Sequence, residues 1–487
     1  MKKISFLIIL LVAVSLTSCY KEAMDYYPTD QLTPDKVFAT EENAEAALLG
    51  VYARFAPGWY KYYIINLEVY GNKDFNPGSK LGGLYAIYTT HVMSPADGSL
   101  YKGYKRVWAV ILYANSFIRG VQNTRFRDPD RKAQAIGEAR FLRAWSYFQL
   151  VQLWGGVPLI TDQENYGVLY PSNSTEDEIY RQILDDLEYC IKVLPDSYEK
   201  IVSSTVEPAR ATRAVAQGIL AKVLMTPHTW RGSVAPEDLQ RAAELCQEIL
   251  DNPAYDLLPN FDDLWDKENT YNKEQIFTVA LSDQGSANGI DWSVYAAHDF
   301  EPTRRFYNSF DYDSVAEINS VVDTFTDLRR DATLYMNPIS KTILDNKYRR
   351  AGMGTSPNHS NPNLYVLRLA DIILLRAEAL NRLDYDAHKQ EIVDLVNRVR
   401  NRAGAVPTTL TECLDPQKTA RVIEEERHKE LFFEFQEFYD LKRNNRLIEV
   451  LGQNGADLGL DNPYQTLWPF PVSEINKNSN LIQNEGY

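Results

Sequence analysis

Two stretches of the sequence combine aromatic rings with amide and carboxylate side chains, a combination suited to binding sugars. A flat apolar ring can stack on a pyranose face, while amides and carboxylates exchange hydrogen bonds with hydroxyl groups. Core or loop packing is the competing interpretation for every ring, and Trp59 and Trp292 are the first choices for ligand contact. The candidate ligand-binding residues are Trp59, Tyr60, Asn72, Asp74, Phe75 and Tyr85 in the first stretch and Trp292 and Tyr295 in the second.

Motifs for catalysis are absent from the sequence. It contains no GxSxG elbow, no HExxH motif, no Walker loop and no dinucleotide-binding fingerprint, and its 6 histidines are scattered. Acidic pairs such as Asp185 and Asp186 would have to converge across a cleft to cleave a glycosidic bond, but adjacent helical residues point in different directions. We therefore expect a binding protein without catalytic residues, metal site or cofactor. A structural calcium ion among the loop acids stays open.

The first residues have the pattern of a lipoprotein signal peptide. Lys2 and Lys3 precede a short apolar run, and the sequence LTSC at 16–19 ends in Cys19. Cleavage before Cys19 would expose a thiol and an amine that can carry acyl chains, so the mature chain would be anchored to a membrane rather than span it. The alternative is an ordinary secreted protein that is cut elsewhere. We expect a signal peptide at 1–18 and a lipidated tether at 19–36.

The charge of the chain argues against two classes of ligand. The net charge is −15, and removal of the signal peptide with its two lysines would make it about −17. Nucleic acids and anionic lipid surfaces both require a positive protein surface. We therefore predict no nucleic acid partner.

Helical periodicity dominates the remaining sequence. We predict helices at 41–52, 104–122, 131–153, 211–225, 236–250, 365–383 and 389–402, and a helix capped by Thr175 and Glu178 that ends at Leu194. The segment 418–450 is predicted to be helical in its first half and to bend near Asn444 and Asn445. Successive helix pairs suggest a mainly α, tetratricopeptide-like scaffold. Cys190 and Cys246 lie on apolar helical stripes, and Cys413 lies in a loop. This placement argues against a structural disulfide.

Two long segments interrupt this scaffold, at about 58–102 and 282–363. They are rich in turn-forming and aromatic residues with some strand signal, and loops on a rigid frame commonly carry binding sites. They also contain all the candidate ligand-binding residues. We expect one domain, 37–487, whose ligand face consists of these partly β insertions.

Several motifs, in order along nearly the whole chain, resemble the SusD/RagB outer-membrane nutrient-binding proteins of Bacteroidetes. The lipoprotein start is one of them. The others are GEARFLRA at 137–144, LWGGVPL at 153–159, YVLRLAD at 365–371, AEALN at 377–381, VNRVRNRAG at 396–404, ER at 426–427, EL at 430–431, DLKR at 440–443, PFP at 469–471 and QNEGY at 483–487. One departure is that the family usually has Glu-Gly-x-Arg where this chain has Glu434-Phe435-Gln436-Glu437.

The resemblance implies a cell-surface lipoprotein of the outer membrane that captures a glycan and delivers it to a SusC-type TonB-dependent transporter. It also implies a SusD-like fold, with the ligand site in the two insertions. Two alternatives remain: capture of peptides in the same kind of transport system and, ranked last, a surface glycoside hydrolase. The charged residues of the helical motifs, such as Glu138, Arg143, Arg368 and Glu430, are interpreted as inter-helix ion pairs.

Overall fold

A computed structural model of the chain describes residues 34–55, 72–76, 93–198, 209–228, 232–266, 269, 271–279, 301–310, 327–347, 364–452 and 466–487. The long helices are α2 (Glu41–Phe55), α3 (Gly98–Gly120), α4 (Pro129–Trp154), α5 (Glu176–Val193), α6 (Arg213–Leu224), α7 (Pro236–Leu250), α10 (Leu369–Arg402) and α11 (Pro416–Leu431). The short helices are α1 (Pro34–Val37), α8 (Arg304–Ser309), α9 (Arg329–Thr333), α12 (Glu437–Arg443), α13 (Leu447–Gly452) and α14 (Val472–Lys477).

The long helices pack in chain order, α2 on α3, α3 on α4, and so on to α7, after which α7 packs on α10 and α10 on α11. Helix α4 is at the centre, and nearly every residue of its second half is buried. This arrangement follows from its sequence, which is apolar around most of the helix circumference. The described part of the chain is thus a continuous helical scaffold with one shared core.

The strands form three small antiparallel pairs in the described residues: β1 (Phe75–Asn76) with β3 (Glu301–Pro302), β2 (Gln275–Val279) with β6 (Leu364–Arg368), and β4 (Leu334–Met336) with β5 (Ile343–Asp345). In the second pair, Val279 is opposite Leu364. The chain therefore leaves the scaffold after β2 and returns to it at β6 in the same place. The described residues between these two strands, 301–310 and 327–347, pack back on the helical frame, where Arg329 pairs with Glu426 and Glu430 of α11.

Two local predictions are confirmed. Thr175 and Glu178 form a capping box at the start of α5, and the predicted bend at 444–445 is present, with Asn445 at φ 56°. Gly155 ends α4 at φ 69°, a conformation that favours glycine. A Cβ on Gly156 would lie 2.5 Å from the Ser174 carbonyl oxygen, so this second glycine is required by close packing.

One helix prediction was wrong in part. Residues 365–368 form strand β6 instead of the start of a helix, because this wholly buried apolar segment pairs with β2. Short apolar runs do not distinguish a buried strand from a buried helix. The helix predicted in the first half of 418–450 is α11, which ends at Leu431, and Phe433 and Phe435 beyond it have φ of 65° and 64°. The helices predicted at 365–383 and 389–402 join into α10, with a non-helical residue at Asp384.

The charged motif residues form buried ion pairs between elements, as predicted. Arg143 of α4 makes two hydrogen bonds of 2.8 Å to the Asp186 carboxylate of α5. Arg368 binds carboxylate oxygens of Glu274, Glu430 and Glu434 at 2.6 to 2.8 Å. Such groups tolerate burial because each charge has an opposite partner. Cys190, Cys246 and Cys413 are free and buried.

Candidate functional site

The bases of the two insertions meet at the β1–β3 pair. Phe75 is opposite Pro302, and the Thr303 amide donates a hydrogen bond of 2.6 Å to the Asp74 carbonyl oxygen. Asn72 shapes the turn before β1, because its Oδ1 accepts a hydrogen bond from the Asp74 amide. Residues 72–76 of the first insertion therefore lie directly against residues 301–310 of the second.

The Asp74 carboxylate is the polar centre of this junction. Its Oδ1 accepts hydrogen bonds from the Thr303 hydroxyl at 2.6 Å and from Arg305 Nη2 at 3.0 Å. Its Oδ2 lies 3.0 Å from Nε2 of His428 on α11. Burial alone would raise the pKa of Asp74, but the hydrogen bond and charge of His428 hold that pKa well below its usual range. The carboxylate thus joins both insertions to the scaffold.

His428 is held between two carboxylates. Besides its contact with Asp74, its Nδ1 lies 2.9 Å from Glu437 Oε2, and Lys73 Nζ is 4.0 Å from Glu437 Oε1. Burial acts to lower the pKa of His428, but the negative charge of Glu437 and the hydrogen bond with Asp74 raise it to about 8. The imidazole is therefore mostly protonated at neutral pH. It is a cation that links α11 to the first insertion.

An aromatic stack forms the apolar half of the junction. The Phe75 ring stacks on Phe432 with centroids 5.4 Å apart, and the Phe306 ring stacks on the same Phe432 at 4.0 Å. Phe433 packs against both Phe75 and Phe432. Since Phe75 and Phe306 come from different insertions, Phe432 fixes them to each other. Stacked pairs of this kind stabilise beyond their buried area.

The structure brings Asn72, Asp74 and Phe75 together, and all three side chains are buried. Their role in ligand contact stays a prediction. The other candidate positions lie outside the described residues: Trp59, Tyr60, Tyr85, Trp292 and Tyr295, together with the lipidation residue Cys19.

Sequence analysis missed the residues that complete the junction, above all Thr303, Arg305, His428 and Phe432. His428 lies in the last turn of α11, Phe432 directly follows the end of that helix, and Thr303 precedes α8 at a typical capping position. These local signals were available. No spacing connects them to Asp74, which is 229 residues from Thr303 and 354 from His428.

The junction shows no arrangement for chemistry on a substrate. Each of its buried acids faces a cation, which is the opposite of a carboxyl held ready as a general acid. Within the described ranges, no group of three His, Cys, Asp or Glu side chains is placed to hold a metal ion. Among those same residues, no helix has the length and apolar character needed to cross a membrane. What the junction does is fix two loop segments on a rigid frame.

Two family models match the chain. The model described as the SusD family matches residues 335–487, and the model described as starch-binding associating with outer membrane matches residues 68–225. The chain belongs to the SusD/RagB family. A SusD-like protein of Formosa agariphila is 29% identical over 100% of this chain and 99% of its own length.

Solved structures of SusD proteins have the same fold. A SusD superfamily protein from Parabacteroides distasonis superposes with a TM-score of 0.76, at 21% identity, covering 94% of this chain and 100% of its own. A laminarin-binding SusD-like protein superposes with a TM-score of 0.70, at 23% identity, covering 92% of this chain and 100% of its own. The mainly α SusD fold expected from the motifs is thereby confirmed.

Proposed function

We propose that this SusD protein is a lipid-anchored protein of the outer membrane that captures a glycan at the cell surface. It then delivers the glycan to a SusC-type TonB-dependent transporter without cleaving it. The observation that carries the proposal is the junction around Asp74, which fastens two aromatic-rich insertions to one place on a rigid scaffold. A ligand face made of loops needs such a fixed base to bind without a large loss of loop entropy.

The family supports the class of ligand. One matching family model is described by starch binding, and a structural relative is described as laminarin-binding. Both ligands are polymers of glucose, for which aromatic stacking with polar side chains is the suitable recognition chemistry. Absence of the common catalytic motifs supports capture over hydrolysis.

The proposal is tested by titrating the soluble chain from Tyr20 onward with starch, laminarin, other plant, host and microbial glycans, and a peptide mixture. We expect saturable binding to one glycan class and at least a tenfold loss of affinity in Trp59→Ala or Trp292→Ala, since truncating a central tryptophan anchor of a binding surface typically costs about 2 kcal/mol or more. Leu410→Ala, an exposed apolar residue of the loop before α11, is the matched control.

Three outcomes would contradict the proposal in different ways. Binding to peptides alone would assign the chain to peptide capture. Release of reducing ends from a bound glycan would make it a hydrolase. Glycan binding that neither tryptophan change weakens would place the ligand elsewhere on the molecule.

A further inference from the structure

An open groove of about 760 Å³ lies on the helical scaffold, apart from the Asp74 junction. One wall is the outward face of α3, where Tyr101, Lys105, Trp108 and Leu112 follow one another at helical spacing. The other two walls are the loop at 158–171 and the segment at 474–481. No residue of the groove belongs to the predicted ligand-binding set.

The walls of the groove are fastened to one another by hydrogen bonds. The side-chain amides of Asn478 and Asn480 donate to the carbonyl oxygens of Pro171 and Tyr170, each at 2.8 Å. On the other side, the Ile160 amide donates to the Tyr147 hydroxyl at 2.7 Å, which ties the loop to α4. The groove is therefore preformed, and a ligand would not have to order its walls.

The rim of the groove exposes large apolar side chains on this fixed frame. Leu169 is 76% exposed, Val168 48% and Leu112 47%. The ring of Tyr170 beside them is also half exposed. Clustered apolar exposure at a concave, well-ordered surface is typical of an interaction site, whereas single exposed residues are not. The groove has the size of ordinary ligand and peptide pockets.

The chemistry of the groove fits a polypeptide better than a sugar. The aliphatic rim cannot exchange hydrogen bonds with hydroxyls, and the amides of Asn478 and Asn480 already bind main-chain carbonyls. The Nζ atoms of Lys105 and Lys477 lie over the Tyr101 ring, 5.9 and 5.4 Å from its centroid. These cations therefore occupy positions where a pyranose would stack. Aromatic and aliphatic side chains together form the centre of many protein interfaces.

The charges beside the groove specify the partner further. Lys477 is paired with Glu474 at 2.9 Å, so Lys105 is the cation that we expect to pair with an acidic residue of the partner. On a chain with a net charge of −15, a second copy would be repelled, whereas a local carboxylate could pair with Lys105. We propose that this groove docks a segment of a partner protein that inserts a large apolar side chain beside Leu169 and places an Asp or Glu at Lys105.

The test is a random-peptide display library selected on the immobilised soluble chain. The enriched peptides should share a Leu, Ile, Phe or Trp close to an Asp or Glu. Synthetic versions should lose at least tenfold in affinity for Leu169→Asp and about threefold for Lys105→Glu, the range of an exposed charge pair. Changing the peptide acid to Lys should restore binding to Lys105→Glu. Ile339→Asp, at a site 91% exposed on the β4–β5 hairpin, is the matched control and should bind like the wild type.

Several results would overturn the inference. One is a selection that enriches no shared motif, and another is peptide binding that Leu169→Asp leaves unchanged. The same variants are also titrated with the glycan panel and examined by sedimentation. Loss of glycan binding in Leu169→Asp would make the groove a sugar site, and concentration-dependent dimerisation abolished by that variant would make it a contact between copies.

Discussion

At the scale of single residues, the Asp74 junction shows how a buried charge can hold several chain segments together. The carboxylate of Asp74, in the first insertion, makes hydrogen bonds with two residues of the second insertion, Thr303 and Arg305, and with His428 of α11. Removing either partner of such a buried pair leaves an uncompensated charge and destabilises by about 3–5 kcal/mol. The junction is therefore fully stabilised only while both His428 and Asp74 are charged.

We predict that the junction contributes less to the free energy of unfolding at alkaline pH. The pKa of His428 is raised from its ordinary 6.5 to about 8 by Glu437 and Asp74, so the folded state binds the proton more tightly than the unfolded state. This contribution is complete below pH 6.5 and is lost as the pH rises through 8, a change of about 2 kcal/mol in the free energy of unfolding. Urea unfolding of the soluble chain at pH 6, 7, 8 and 9 measures it.

The variant His428→Gln should be less stable than the wild type at pH 6 and should lose the decline between pH 6.5 and 8. His388→Gln, at a half-buried histidine on α10, is the control and should keep the decline. Equal slopes for the wild type and His428→Gln would show that the histidine does not link these segments through its charge.

At the scale of elements, two residues in the left-handed backbone conformation allow the effect of backbone strain to be separated from the effect of side-chain packing. Lys341 has φ 58° in the β4–β5 hairpin and is exposed, whereas Phe435 has φ 64° and is buried. A left-handed residue other than glycine costs about 1–2 kcal/mol, and at Phe435 this cost accompanies the burial of the ring.

We predict opposite effects of the same substitution at these two sites. Lys341→Gly should raise the free energy of unfolding by about 1 kcal/mol, because the strain is relieved and no packing is lost. Phe435→Gly should lower it by about 2 kcal/mol, because the loss of a buried phenyl ring, about 3–5 kcal/mol, exceeds the relief. Denaturant unfolding of both variants measures the difference. Stabilisation by Phe435→Gly would mean that the ring contributes little packing.

Most helices of the scaffold could be predicted from sequence because their caps and apolar periods are local signals. The helix 236–250 was predicted with the bounds that α7 has, and α4 within two residues. Strand β6 was missed because its identity depends on β2, more than eighty residues earlier in the chain. The break at Phe433 and Phe435 was missed because neither residue normally adopts a left-handed conformation.

The site was less predictable than the fold for the same reason. The composition of the insertions indicated where binding residues concentrate, and Asn72, Asp74 and Phe75 do lie together. The partners that hold them come from distant helices and strands. No sequence spacing shows the link from Asp74 to His428, and the helical spacing of the α3 residues does not show that two distant segments complete a groove beside them.

At the scale of the whole molecule, attachment to the membrane is expected to depend on Cys19. In cells given a labelled fatty acid, the wild-type chain should carry the label and sediment with membranes. Cys19→Ala should carry no label, because the cysteine thiol is the site of lipidation. Cys413→Ala, which changes a buried thiol, should be labelled like the wild type. Label retained in Cys19→Ala would refute the predicted lipoprotein signal.

The pairing of β2 with β6 has a consequence for how such proteins diversify. Because Val279 and Leu364 are neighbours, the segment between them begins and ends at one point of the frame. Lengthening a loop whose ends are already joined costs only slowly growing entropy. The described parts of this segment are also held on the frame, since Arg329 pairs with Glu426 and Glu430 and Lys347 with Glu434. A segment exchanged during evolution, or grafted between relatives in the laboratory, would therefore have to keep these two cations, because losing them would take a positive partner from buried carboxylates.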